Sequence, residues 1–551
     1  MTPASAMPSK NFLRQPEFLA AAGITLVIVA FHFYFLLHAG GFWRDEVNLL
    51  NVANQNSLSG LAHDSFPVLM PLLVKIWYAI GLGSADVNLR MLGVFVGLGS
   101  VTALWVAGMA ARRTPPVVAL VLFTLNSTVI SYGDELRAYG LGSLTTALLF
   151  AAAVFLLKQP DWKRAGVFAL CAILSVQSLF HNAVLVGAIC LGAIAVYIRN
   201  KNFPAALKVF IGGLCAAISL LPYSHNFISG RETTVVLRTG FSWTKFFGEL
   251  KTAVGFPLAQ FEWLWVLLAL LAIFLAIKVL FRKTEAKVPE ENCSDSDLRL
   301  LTGATIFFAL AGFLGFLQFT ALPGQPWYFL PLMILMAIGF DVTLATFQNK
   351  TKFLVLILAL VTFFISLPFT KADLNYRFTN IDTWAVALSG EAKPNDYIVV
   401  SPWFTGITFA HYFHGAAGWN TLPPLPRHND HCYDLVQGQM NTTNALAPVL
   451  EQITTALRGG HRVWFLCPAD FVKASLGMSA PPPDLPAPPL PQTGWLDEPY
   501  SGMWTGQTIY FLAHHAKSFN EASNPDSARR TGENSGLFMI EGWKDEASGT
   551  P

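Results

Sequence analysis

Charge is scarce in this chain. Only 13% of its 551 residues are Asp, Glu, Lys or Arg, while 53% are hydrophobic. Soluble domains carry about a quarter charged residues, so a string of water-facing domains of this length is excluded and most of the chain belongs in lipid. The net charge of +2 carries no message about nucleic acid, and no long run of Lys and Arg is there to read phosphate backbones, so no nucleic-acid partner is expected. Cysteine is also sparse, six in all, which excludes a disulfide scaffold. Cys432 and Cys467 alone share the side expected to be oxidising; a bond between them needs a Cα separation that sequence does not supply. No internal repeat at solenoid spacing is present.

What is abundant is apolar sequence. Hydrophobic windows fall at 18–37, 91–111, 117–131, 141–157, 165–179, 183–198, 205–221, 263–280, 300–322, 327–347 and 353–367, which gives about eleven spans of a polytopic α-helical membrane protein. Several are nearer 16 than 20 residues, so 165–198 reads as a short, tilted hairpin about Phe180-His181-Asn182. Basic residues collect in alternate short loops: Arg112-Arg113, Lys158 with Lys163-Arg164, Arg199 with Lys201, Arg282-Lys283 with Lys287, and Lys350 with Lys352. With Lys10 and Arg14 ahead of the first window, they place the N-terminus in the cytoplasm and the C-terminal segment outside a cytoplasmic (inner) membrane. Window 18–37 is too long for a signal-peptide core and reads as a retained anchor.

Three organisational units follow: a membrane module over 1–368, whose first outer loop is 40–90; a small outer α/β domain over 369–516; and a tail, 517–551, expected to be disordered. Within the first loop, 68–80 is apolar but too short to span and reads as an interfacial helix. A second outer region, 223–260, is mixed in character and carries Arg231, Glu232 and Arg238. In the outer domain, 396–401 and 461–466 read as buried strands, 444–457 as an amphipathic helix, 480–491 as a polyproline-like spacer and 507–512 as a returning strand.

The scarce charges are not scattered. Asp45-Glu46 lies just beyond the first window, and Asp134-Glu135-Leu136-Arg137 recurs where the chain next returns to the same face. Carboxylates there are readily solvated yet close enough to the bilayer to meet the head group of a lipid-linked substrate, which points to group transfer at the membrane surface. The plainer alternative is that Asp45-Glu46 caps an interfacial helix. Arg90 and Lys75 have a similar alternative as interfacial anchors.

The order Trp43-x-Asp45-Glu46, His63-x-x-x-Pro67, Leu89-Arg90 and Tyr132-x-x-Glu135-x-Arg137-x-Tyr139 resembles the GT-C membrane glycosyltransferases, in particular bacterial relatives of the protein O-mannosyltransferases and aminoarabinose transferases. The resemblance covers the first 180 residues by motif and the remaining spans by architecture. It implies a catalytic acidic residue in the first outer loop, a polyprenyl-phosphate sugar donor and an outer domain after the spans. The chain departs from the family at Trp327-Tyr328-Phe329-Leu330-Pro331, where relatives often have Arg-Tyr-x-x-Pro and hence a basic donor contact.

Transfer from a lipid phosphate to a hydroxyl needs a base near the acceptor and a cation near the departing phosphate. Asp45 is the expected base, with Glu46 and Glu135 as its catalytic company. Arg137 and Arg90 are the expected phosphate ligands, since a guanidinium matches phosphate oxygens in a forked geometry. His63, Lys75, Tyr139, His181, Trp327 and Tyr328 complete the candidate substrate contacts, His181 on the ground that relatives often carry a site-facing His. No metal ligand set is assigned. His411-x-x-His414 and His428-x-x-His431 have spacings common by chance, while a divalent cation at the acidic pair stays open. The acceptor is a protein, lipid or envelope glycan. The alternative from another class is a secondary transporter or flippase, which would place ionisable groups mid-bilayer and break its helices.

Overall fold

The computed structural model describes residues 16–57, 61, 66–83, 85–112, 114–224, 241–282, 293–320, 324–347, 349–475, 478, 480–485, 497–522 and 533–544. Among these, nine helices are long and apolar enough to cross a membrane. Two further elements complete the eleven expected segments. Trp162–Ser178 is a shorter helix, capped at its start by the Asp161 carboxylate accepting from Arg164 N at 2.8 Å. Val117–Thr124 and Ser127–Asp134 form a pair bent by 74°. The break has a local cause. Leu120–Thr124 is wound as a π-helix, and Asn126 turns extended to cap Ser127–Asp134 through Thr128 N at 2.9 Å. At the other end of the pair, Asp341 accepts from Val118 N at 3.1 Å and Ala119 N at 2.5 Å, satisfying amides that a helix start leaves free.

The helix Ala138–Lys158 is 83% buried in its apolar window and forms the centre of the bundle. Phe203–Tyr223, Phe261–Phe281 and Thr351–Asp373 lie at the periphery, where Leu207, Phe210, Phe274 and Phe364 are exposed, as a lipid-facing surface requires. The short helix Leu69–Ala79 is where the interfacial helix was expected. At 1.5 Å per residue its length falls well short of the ~30 Å hydrocarbon core. Of the region 223–260, Trp243–Val254 is an amphipathic helix; Arg231, Glu232 and Arg238 lie outside the described residues.

After the last span the chain forms a five-stranded sheet in the order β2-β1-β3-β5-β4, with β1 Tyr397–Val400, β2 Gly418–Thr421, β3 Val463–Cys467, β4 Ala516–Glu521 and β5 Gly536–Trp543. β1 pairs in parallel with β2 and β3, while β5 runs antiparallel to both β3 and β4. β1 and β3 are the two strands expected, and the amphipathic helix is Ala447–Arg458, with Val449, Ile453 and Leu457 buried. Two expectations are corrected. Residues 507–512 lie inside the helix Glu498–His515 rather than in a strand. The tail expected to be disordered supplies two of the five strands: Leu537, Phe538 and Ile540 are buried, and β5 covers the open edge of β3. Polar stretches on either side outweighed this short apolar run in the sequence composition.

The sheet domain is seated on the first loop. Between the first span, α1 (Pro16–His38), and the next helix, α2 (Arg44–Ala53), the chain turns at Gly40, whose φ of 75° suits glycine. Gly41 N donates to Asp382 at 3.0 Å, Phe42 N to Tyr412 OH at 2.7 Å, and Tyr412 OH to Asp86 at 2.5 Å.

Candidate active site

Trp43 is the extended residue at the start of α2 and makes no side-chain cap, so Asp45 and Glu46 occupy the first turn with their carboxylates directed across the structure. Glu46 is fully buried. It pairs with Arg90 Nη2 at 2.6 Å and accepts from Leu136 N at 3.0 Å. Arg90 also donates to Gly40 O at 2.5 Å and Gly41 O at 3.2 Å. Glu46 and Arg90 therefore brace the first loop against the 135–137 bend. Arg90, expected as a phosphate ligand, here has its guanidinium on a carboxylate and two carbonyls.

Asp45 faces a different set of partners. Its Oδ2 lies 3.2 Å from Arg137 Nη2, and its Oδ1 lies 3.1 Å from His431 Nε2 and 3.6 Å from Arg44 Nε. Arg137 Nη1 also donates to the Asp45 carbonyl at 3.2 Å. Burial pushes the Asp45 carboxyl up, but Arg137, then His431 and Arg44, overcome it and hold the group well below the usual carboxylate range. Glu135 moves the other way. Burial first, then the neighbouring Glu46 and Asp45 charges, raise it well above its ordinary value against Arg137 and the Trp43 indole. One Glu135 oxygen accepts from Trp43 Nε1 at 3.0 Å; the other is buried without a hydrogen-bond partner among the described residues. The surroundings thus drive two carboxyls of one cluster in opposite directions, as acid–base sites commonly do.

Aromatic rings wall this cluster. Tyr139 stacks on Tyr328 with centroids 5.7 Å apart, Trp327 lies 4.5 Å from Tyr132 and 6.1 Å from Trp43, and Phe378 stacks on Trp43 at 6.0 Å. The Arg137 guanidinium lies over Phe66 at 4.5 Å. Among the described residues no group of three or more His, Cys, Asp or Glu side chains is arranged to hold a metal ion, and the Asp45 and Glu46 charges are already met by guanidinium groups.

No family model and no curated protein sequence matches the chain. Solved structures do. ArnT from Cupriavidus metallidurans bound to undecaprenyl phosphate aligns with a TM-score of 0.51 and 12% identity over 86% of this chain and 96% of that one. The chain has a GT-C fold. The apo state of the same ArnT gives 0.50 and 12% over 84% and 96%. An Archaeoglobus fulgidus oligosaccharyltransferase complex with Zn and sulfate gives 0.47 and 11% over 83% and 70%.

Within this GT-C fold the other expected residues divide. Tyr139, Tyr328 and Trp327 line the cluster. His181 sits behind it, 6.3 Å from Tyr328 by ring centroids and beside Phe313; burial holds its imidazole down to about 3, hence neutral, with Nε2 unpartnered among the described residues. Lys75 is not in the cluster: Nζ donates to Gln55 O at 2.6 Å, at an exposed position, and ties Leu69–Ala79 to the end of α2. His63 lies outside the described residues. Cys432 and Cys467 are free, buried thiols.

Three residues went unassigned by the sequence reading. Arg44 stood inside the motif without a role. His431 was weighed only for metal spacing, yet it reaches Asp45. Glu533, in the supposed tail, accepts from Arg44 N at 3.1 Å and from Thr408 Oγ1 at 3.0 Å. A fourth feature is the buried pair His32 Nδ1 and Asp134 Oδ2, 2.6 Å apart, one residue before Glu135. It fits only because residue 97 is glycine; a Cβ there would sit 1.9 Å from Asp134 Oδ1. A transporter would place such a pair, and a helix break, along a path. Here the pair adjoins the 135–137 bend, while the break lies at the far end of Ser127–Asp134.

Proposed function

We propose that this protein transfers a sugar from a polyprenyl-phosphate carrier to an acceptor hydroxyl at the outer face of the cytoplasmic membrane. The observation that carries this reading is the meeting of Asp45 and Arg137 at 3.2 Å, from segments 92 residues apart, beneath a wall of aromatic rings. An ionised carboxylate at one end suits the acceptor, and a guanidinium suits the phosphate. The GT-C fold supports it, and so does the undecaprenyl phosphate held by ArnT. The basic loops support the outer orientation.

In the reaction the acceptor oxygen bonds to the anomeric carbon, and the carbon–oxygen bond to phosphate breaks with its electron pair leaving on the phosphate. The acceptor proton passes to the Asp45 end of the site. Direct displacement inverts the anomeric centre. Glu135, its carboxyl raised by burial and by the neighbouring Glu46 and Asp45 charges, is the candidate to donate a hydrogen bond to a sugar hydroxyl or the departing oxygen. Tyr139, Tyr328 and Trp327 offer faces on which a sugar ring stacks. The acceptor class is a protein, lipid or envelope glycan.

The test uses purified protein in liposomes with a panel of polyprenyl-phosphate sugars and an acceptor extract. Acceptor-dependent release of free polyprenyl phosphate is the expected result. Passage of the intact sugar-lipid across the bilayer, with the glycosidic bond unbroken, would instead establish the flippase alternative.

A further inference from the structure

The C-terminal domain does more than cover the site. In a sheet with parallel strands, ligands collect beyond the carboxyl ends where neighbouring connections diverge. β1 is such a position, flanked by β2 on one side and β3 on the other. The segments leaving β1 and β2 both reach the first loop. Phe404, just after β1, lies under the Arg44 guanidinium at 4.1 Å. The stretch after β2 lies along α2: Asn429 O accepts from Asn51 Nδ2 at 2.7 Å, and His431 Nε2 meets Asp45 at 3.1 Å. Tyr433 stacks parallel to the His431 ring at 5.6 Å.

Two facts about His431 go beyond docking. Its Nδ1 is buried with no hydrogen-bond partner among the described residues. Its Nε2 faces a carboxylate, which fixes the Nε2–H tautomer and leaves Nδ1 as the acceptor. Asp45, by contrast, is crowded by Arg137, Arg44 and His431 itself, and a carboxylate stabilised by cations is a weak proton acceptor.

We propose that His431, supplied by the C-terminal domain, takes the acceptor's proton at Nδ1, while Asp45 orients the imidazole through Nε2–H and stabilises the imidazolium that forms. This rests on the glycosyl-transfer reading and assigns the proton within it. The acceptor O–H bond breaks as its oxygen bonds to the anomeric carbon; the proton ends on Nδ1, and the electron pair of the broken glycosyl–phosphate bond ends on the leaving phosphate. The division of labour is that of a base and its orienting carboxylate in nucleophile-activating triads. It also makes transfer depend on the docked domain.

The experiment compares wild type, H431Q and H431A in the full-length protein, measuring kcat, donor binding and recovery of activity by added imidazole. H431Q keeps a side-chain donor for Asp45. Both variants are expected to lose roughly 10²-fold or more in kcat with donor binding unchanged, and imidazole is expected to restore part of the activity of H431A. Wild-type kcat in H431Q would overturn the proposal. So would an H431A variant that binds donor normally, is inactive and gains nothing from imidazole, or one whose loss lies wholly in donor binding. A wild-type protein that releases no carrier phosphate from any donor is a distinct result, counting against glycosyl transfer itself.

Discussion

Asp45 and Glu135 are carboxylates in one buried cluster whose surroundings drive them in opposite directions, and the difference lies in what each faces. Asp45 is bounded by two guanidinium groups and an imidazole, whereas Glu135 is more deeply buried and faces the Glu46 and Asp45 charges as well as Arg137 and the Trp43 indole. Because burial and the neighbouring acids favour the neutral form of Glu135, Gln is a close substitute. E135Q is expected to cost no more than about 1 kcal/mol, one neutral hydrogen bond, whereas E135A strands the Trp43 indole at about 1–3 kcal/mol; thermal unfolding of the two variants checks this. Arg137 is the guanidinium closest to Asp45, at 3.2 Å against 3.6 Å for Arg44. R137A should weaken donor binding roughly 10- to 100-fold, from about 1.5–3 kcal/mol for a charged hydrogen bond, and unchanged donor affinity would remove Arg137 from phosphate recognition. At this scale the sequence was informative about residue type and silent about partners. Asp45 and Arg137 were legible because charge is rare at a membrane boundary. His431 and Glu533 were not, since each acquires its role from a contact hundreds of residues away.

Among elements, the first turn of α2 and the 135–137 bend behave as one unit because Glu46 joins them and Arg90 neutralises Glu46. Removing one partner of such a buried pair leaves an uncompensated charge, so R90A is expected to cost about 3–5 kcal/mol. The loss should appear in thermal unfolding of the detergent-solubilised protein, with wild-type stability in R90A as the contrary result. Helices were the legible elements: all eleven apolar windows correspond to helical segments, since burying twenty apolar residues in lipid dominates local detail. The 74° break was not legible, because Asn126 and the π-helical turn interrupt an otherwise continuous apolar run. β4 and β5 were missed because a strand's identity rests on its neighbours. Residues 536–540 form a strand because β3 offers an edge.

For the whole molecule, the decisive feature is the closure of the C-terminal domain onto the first loop through Glu533, His431 and Tyr412. Burial raises the Glu533 carboxyl from its ordinary 4.5 to about 7, although Arg44 opposes it. The docked state therefore binds that proton more tightly than the undocked one. Its stabilising contribution is complete below pH 4.5 and is lost as pH rises through about 7. Hydrogen exchange at β5 should quicken across that interval in the wild type and lose this dependence in E533Q; identical profiles would contradict the assignment.

The most direct measurement of the central claim is single-turnover transfer by reconstituted wild type and D45N, each loaded with the same polyprenyl-phosphate sugar. Wild type is predicted to release the carrier phosphate and glycosylate the acceptor, while D45N binds the donor with similar affinity and releases nothing. Turnover by D45N at the wild-type rate would contradict an Asp45-centred site.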